Sequence, residues 1–555
     1  MLENQNGEPE KDLNNEQEAT CSNFFALQLD FDNEMDALRK FRDEKGYLQQ
    51  QGFDNQQEAI EWQLSNIEKK YREATDNLLS SFESIDSQEV LTTCLVILNY
   101  FVSCAERITK TTGISIDLSE IRSRLTTNFP KFESVLKNNP DKRAKILAID
   151  LVVSVACSNK ATEREDATNF LIANLPEIRK YLENEAMEVS AKTETSYYGY
   201  YGSRQVADAL AVVLKFGTAQ EESSVIELVK NFLKNESTFT VGSELLADMF
   251  YARSPDEKDP LDEIRVLQPR TLTEFRGILC KSLENAGISQ KTALDLTKKW
   301  TEENQARRMF VSANLHSVMR LEKLQHGITS TLLEKYGITE FGRYPDQMLL
   351  KQYENMDNTE DPYGIVLFPK DDWNGAFHSR SEIFRELMHD LERTQGLEHY
   401  LVRTFECGSK IEVARTLIKL DRQFGEKHKI SFAIIGGHGS KDSICLGNMQ
   451  NGFSRGHLFT NDLYGRGVRR TRDFFEQGAT IILSACSTGE NEGIGQTLSE
   501  KFGMKVIAPT IPTGLSLAKP KLENGRISFD VQYNRQNLDD KNIMAIYEPS
   551  GEIDT

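Results

Sequence analysis

The chain has 555 residues, 39% of them hydrophobic and 27% charged, a balance that fits a folded protein of several domains. Acidic residues outnumber basic ones 85 to 66, for a formal net charge of −19. Without a basic face, nucleic-acid binding is not expected.

In chain order, residues 1–20 carry six acids, one lysine and no apolar stretch. That is neither a secretory signal nor a transit peptide, and 1–29 reads as a disordered acidic tail. From 30 to 255 the patterning is helical, with apolar residues three or four apart over Gln56–Phe82, Gln88–Thr109, Asp141–Cys157, Thr162–Leu182 and Gly202–Leu214. The apolar run Leu91–Ala105 is shorter than the about 20 residues needed to cross a bilayer. It reads as a core helix, and no membrane association is expected. Helix lengths and spacings suggest a helix-pair array, without a repeated signature to establish one. The tyrosine-rich stretch Lys192–Gln205 reads as a loop. Two prolines and a run of acids at Ala252–Glu263 end the helical domain. Residues 256–355 form a helical connector, with helical patterning over Thr273–Tyr336.

From 356 to 555 the pattern becomes strand–helix–strand. GIVLF, YLVRTF, ISFAII, TIILSA and KVIA are short apolar runs. Between them lie helices SEIFRELMHDLERTQ (Ile383, Phe384, Leu387, Met388 and Leu391 inward), IEVARTLIKLDRQFG (Ile411, Ala414, Leu417, Ile418 and Phe424 inward), VRRTRDFFEQG and GIGQTLSEKFG (Ile494, Leu498 and Phe502 inward). This alternation predicts an α/β domain with a mostly parallel sheet sandwiched by helices. Alternating apolar residues around Asn524-Gly525 predict a hairpin added at a sheet edge, where Pro520 is tolerated.

Ligands of open parallel sheets sit beyond the carboxyl ends of the strands. The third strand there runs into Gly436-Gly437-His438-Gly439, and the fourth into Ser484-Ala485-Cys486-Ser487. An imidazole and a thiol therefore leave the same edge of the sheet. A thiolate is the attacking species, and an adjacent imidazole assists its deprotonation and protonates a leaving amine. A helix predicted to begin just after Cys486 would favour the anion. The amides of Gly439 and Cys486 are placed to bind an oxyanion.

IIGGHGSKDSICLG, with IILSACSTG placing Cys486 48 residues after His438, resembles the His-Gly and Ala-Cys motifs of the caspase-like cysteine peptidases, closest to their CHAT and separase branch. The resemblance spans about Tyr363 to Ala508. It implies His438 as general acid/base, Cys486 as nucleophile, and Gly439 with Cys486 as the oxyanion amides. Metacaspases and clostripain-like members carry Asp two residues before the nucleophile; here Ser484 stands at that substrate-binding position. Asp371 and Asp372, just past the first strand, lie where some relatives build the S1 pocket, and would favour a basic P1 side chain.

Each residue also has a plainer reading. Cys486 alone would be a small buried hydrophobe, as Cys407 and Cys445 are expected to be. Four other histidines, His378, His389, His399 and His457, lack the glycine setting, which around His438 has no evident packing reason. Arg466, Arg469, Arg470 and Arg472 read as a solvated helix start. The eight cysteines have no metal-ligand spacing and suit reduced thiols in the cytoplasm. The expectation is a cytoplasmic cysteine endopeptidase acting on protein or peptide substrates without metal or organic cofactor. Its helical half would recruit substrate, bind a regulatory protein or occlude the site. The rival is an inactive scaffold of the same fold that serves as a protein-interaction module.

Overall fold

The computed structural model describes residues 118–158, 160–191, 203–250, 268–301, 311–370, 381–447, 456–464, 472–534 and 543–549, with Asp372, Phe377 and scattered positions between 58 and 102. The expected tail 1–29, residues 192–202 of the tyrosine-rich stretch and the break at 252–263 lie outside the described residues, whereas residues 203–205, expected in that loop, begin a helix. The chain divides into two compact units, Met1–Phe275 and Arg276–Thr555.

The first unit is helical. Its described helices include α1 (Ser119–Thr127), α2 (Phe129–Asn138), α3 (Lys142–Ala156), α4 (Ala161–Ala173), α5 (Leu175–Ala191), α6 (Ser203–Phe216), α7 (Ala219–Lys234) and α8 (Phe239–Met249). Asp141 caps α3 by accepting the Arg143 N–H. The helix is apolar on nearly all sides and correspondingly buried. α6 packs on α3, α4, α7 and α8. The single helix expected over Thr162–Leu182 is two helices. Asn174 closes α4 by donating to the Phe170 carbonyl, and Pro176, which has no N–H to give, falls in the first turn of α5.

In the second unit, helices α9 (Pro269–Asn285, from Arg276 onward), α10 (Gln290–Thr301), α11 (Val311–Leu324), α12 (Ile328–Tyr336) and α13 (Asp346–Glu354) precede the first strand. Residues 276–355 thus share one compact unit with the sheet. Trp300, fully buried, donates its indole N–H to the Thr339 carbonyl at 2.9 Å.

The main sheet has six strands in the order β11-β8-β7-β3-β1-β2. These are β1 (Tyr363–Pro369), β2 (Leu401–Cys407), β3 (Ile430–Gly436), β7 (Phe475–Ser484), β8 (Lys505–Pro509) and β11 (Met544–Tyr547). All neighbours are parallel except β11, which runs antiparallel to β8 at the edge. β1 and β2 are buried along their whole length, as strands covered on both faces must be, although β2 carries Arg403 and Glu406. The crossover helices are α14 (Ser381–Arg393), α15 (Lys410–Phe424) and α16 (Ile494–Phe502). α14 joins β1 to β2 outward and α15 returns from β2 to β3, so right-handed crossovers put the two on opposite faces.

The predicted inward faces of α14 and α16 are buried. That of α15 is rotated: Leu417, Leu420 and Phe424 are buried, whereas Ile411 and Ile418 are exposed. The helix expected to end at Gly478 is also corrected, since Phe475 already begins β7. Ile430 pairs with Phe475 but Phe432 with Thr480, so the extra residues bulge out, with Gly478 at φ +83°. The hairpin is real but is no edge of the main sheet. β9 (Gly514–Glu523) and β10 (Arg526–Asn534) form their own two-stranded sheet, turning at Asn524 (φ 52°) and Gly525 (φ 73°). It lies against the main sheet through Phe529, which packs edge-on to Phe432 at 4.9 Å. A third small sheet, unforeseen in the sequence, is made by β4 (His438–Ser440), β5 (Ser443–Cys445) and β6 (His457–Phe459). Among the described residues, no helix is long and apolar enough to cross a membrane.

The Tyr533 hydroxyl donates to the Leu483 carbonyl at 2.7 Å, with the Ile507 carbonyl as a second acceptor at 3.2 Å. It pins the hairpin to adjacent strands β7 and β8. Tyr533→Phe should lower unfolding stability by about 1–2 kcal/mol, measurable as a reduced urea midpoint with unchanged m-value.

Candidate active site

β3 and β7 are parallel neighbours in register, with Gly436 opposite Ser484. The Gly437 N–H extends the ladder by donating to the Ser484 carbonyl at 3.2 Å. His438 and Cys486 therefore each stand two residues beyond a paired position at the same rim. Their backbones adjoin through Gly439: a β-carbon added there would lie 2.4 Å from the Cys486 carbonyl oxygen and 2.7 Å from its amide nitrogen. The neighbouring glycines have packing reasons of their own, against expectation. A β-carbon on Gly436 would strike the Phe368 ring at 2.5 Å, and one on Gly437 the Cys445 carbonyl at 2.5 Å.

His438 begins β4, whose pairing with β5 fixes its backbone. Its side chain is 21% exposed. One ring nitrogen, Nε2, lies 3.3 Å from Asp372 Oδ1, and the ring meets Phe377 edge-on at 5.1 Å. The second oxygen of Asp372 accepts the Phe377 N–H at 2.8 Å. Asp372 and Phe377 thus form one buried cradle for the imidazole. Burial pushes the Asp372 carboxyl up, but the hydrogen bond with His438, the Arg343 cation and the Phe377 N–H outweigh it and hold the group below its ordinary value.

Cys486 is half-buried on a tight turn between β7 and α16, its Sγ–H directed to the Thr513 carbonyl at 3.8 Å. Ser487 adopts φ +57°, a left-handed conformation unusual for a residue with a side chain. The turn is tied by Ser487 N–H to Ile511 O, Gly489 N–H to Pro509 O, and Thr488 Oγ1 to Ala485 O. α16 begins only at Ile494. Cys486 is therefore not at a helix N-terminus as expected, and a helix dipole does not act on it.

Two other expectations change. Asp372 lines no specificity pocket, because its carboxylate is buried and committed to His438 and Phe377. Ser484 is 2% exposed, its hydroxyl buried without a hydrogen-bond partner, so it lies beneath the rim and not at a substrate-binding surface. Asp371 and His378 lie outside the described residues, as do Arg466, Arg469 and Arg470. Of the rival groups, Cys407 is buried and its thiol is pushed up to about 12 by desolvation, and the Cys445 thiol donates to Gly447 O at 3.1 Å. His389 is exposed beside Asp390. His457 is buried, stacks on Phe459 and is lowered by desolvation. Among the described residues, no group of His, Cys, Asp and Glu side chains is arranged to hold a metal ion.

The role of Asp372 was missed because it depends on strand order. β1 lies beside β3, so the segment leaving β1 emerges next to the one leaving β3. The signal was an acid just past an apolar strand, and only the neighbourhood gives it meaning.

Residues 417–515 match the model of a domain of unknown function, DUF8616, a segment that contains both His438 and Cys486. No curated protein and no solved structure matches the chain.

Because the folded-state value of Asp372 lies below the ordinary carboxyl value of about 3.9, its stabilising contribution is complete above that value. It is lost as the pH falls through the lower folded value. The stability gap between wild type and Asp372→Asn should therefore shrink on acidification below about pH 4, as followed by urea unfolding across pH.

Proposed function

We propose that the chain is a cysteine endopeptidase of the caspase-like kind, cleaving peptide bonds in protein substrates through Cys486 and His438. The observation that carries this reading is the adjoining backbone of the two residues at one sheet rim, with a buried carboxylate behind the imidazole.

In the resting state the Thr513 carbonyl accepts from the Cys486 thiol. On substrate binding His438 takes the thiol proton, and Sγ attacks the carbonyl carbon of the scissile bond. With Nε2 engaged by Asp372, the proton exchange falls to Nδ1. The ionised Asp372 stabilises the resulting imidazolium and holds its tautomer. The oxyanion of the tetrahedral intermediate is bound by the amides of Gly439 and Cys486. Collapse breaks the C–N bond, and the imidazolium gives its proton to the leaving amine. Water, deprotonated by His438, then hydrolyses the thioester and restores the thiol. These steps need only the chain's own groups. Free thiols suit this chemistry and a cytoplasmic setting, and the described cysteines are all free. The helical first unit, in this reading, recruits substrate or a regulatory protein.

A fluorogenic peptide library tests the proposal. Cys486→Ala should abolish cleavage, and His438→Gln should reduce it on the order of 10²–10⁴-fold. Equal cleavage by wild type and Cys486→Ala would reject it.

A further inference from the structure

The strand that delivers Asp372 is gripped from outside the sheet. Lys370, the first residue past β1, has its carbonyl bound by the Lys299 ammonium of α10 at 2.9 Å. Pro369, the last residue of β1, has its carbonyl bound by Arg343 Nη1 at 3.0 Å. The two cations are themselves fixed. Arg343 is fully buried and donates to Glu406 Oε1 at 3.1 Å. Glu406 also accepts the Tyr344 hydroxyl and, through Oε2, the Thr339 N–H and hydroxyl. Lys299 bridges to the same Thr339 hydroxyl, and Trp300, its neighbour in α10, holds the Thr339 carbonyl. Two consecutive carbonyls, those of Pro369 and Lys370, three and two residues before Asp372, thus each receive a charged donor from the segments that precede the sheet.

We infer that Lys299 and Arg343 are positioning residues for His438, fixing the direction in which the chain leaves β1 and thereby placing Asp372 against the imidazole. The inference rests on the peptidase reading and deepens it: the helices before the sheet belong to the machinery that orients the base. The geometry makes the site sensitive to them. The Asp372–His438 contact, at 3.3 Å, is already at the long end of hydrogen bonding, so a shift of a few tenths of an ångström in the β1 exit would break it. Arg343 has a further link to the carboxylate. Its guanidinium is paired with Glu406 and lies in the field of the buried Glu340, and its charge also acts on Asp372.

The test uses the full-length protein and needs no known substrate: the rate of Cys486 alkylation by iodoacetamide, read by peptide mass spectrometry across pH 5–9. His438→Gln tests the underlying pair, and should slow Cys486 near neutral pH and leave the profile of an isolated thiol. Lys299→Met should slow Cys486 at pH 7 about tenfold, as expected for a sub-ångström displacement of the base, and shift the profile in the same sense. Lys299→Arg, which keeps a donor, should restore most of the rate. Arg343→Lys, which keeps the buried charge but cannot reach both acceptors, should behave like Lys299→Met. In the double variant with Asp372→Asn, Lys299→Met should cause no further loss, because both act through one carboxylate. An unchanged profile in Lys299→Met and Arg343→Lys, or a double variant slowed by the product of the two single effects, overturns the inference. If His438→Gln itself leaves Cys486 unchanged, the Cys–His reading fails, and the inference with it.

Discussion

The site depends on the register between β3 and β7. Next to the site, over Ile430–Gly436 and Ala479–Ser484, these strands are almost wholly buried, and continuous apolar strands do not specify register by alternation, because a one-residue slip merely exchanges two apolar faces. Glycines supply the missing specification. Gly436 faces the Phe368 ring at a distance no β-carbon tolerates, and Gly439 lies as tightly against the Cys486 peptide. A slip that moved His438 into the place of Gly439 would drive its β-carbon into the Cys486 peptide. The close approach of Gly439 to the Cys486 peptide, which sets the strand of the imidazole beside the turn of the thiol, thus also disfavours a slip that would put His438 in its place.

Much of this was legible in the sequence. Five parallel strands, the faces of α14 and α16, and the emergence of His438 and Cys486 at one edge all follow from short apolar runs separated by amphipathic helices. What was not legible depended on three-dimensional neighbours. The apolar residues of α15 permitted two rotations, and packing chose Leu420 over Ile411 and Ile418. Phe475 read as helical because the signal for the β7 bulge is a single glycine, Gly478. The alternation around Asn524-Gly525 reports a two-faced ribbon and not which surface it covers, so the hairpin is legible but its place is not. Asp372 reads as a substrate residue because nothing in the sequence says that β1 lies beside β3.

The segment before the sheet shows how buried charge ties distant sequence together. β2 carries Arg403 and Glu406, 1% and 2% exposed, in a strand that is otherwise apolar or neutral. Arg403 donates to the carbonyls of Asn355 and Asn358 and lies over the Phe424 ring at 3.9 Å. Glu406 is satisfied by Thr339, Arg343 and Tyr344. Leaving either charge unpaired in the interior would cost several kcal/mol. Residues 339–358 are therefore required by the sheet itself, which is why the compact unit begins well before the first strand.

The two halves of the proposed dyad are held in different ways, and the difference bears on how such a site is encoded. The imidazole is fixed from the β1 side by Asp372 and Phe377 and from its own strand by pairing with Cys445. The sulfur stands on a turn fixed from the β8 side, where Pro509, Ile511 and Thr513 supply carbonyls to Gly489, Ser487 and Cys486. A left-handed serine costs on the order of 1–3 kcal/mol, and those hydrogen bonds offset it by leaving the turn no relaxed alternative. The proposed pair is central, but its geometry is imposed from β1 on one flank and β8 on the other. Residues that shape the proposed site are consequently spread from Asp372 to Thr513, and short motifs around His438 and Cys486 record only the part of the site that the chain carries contiguously.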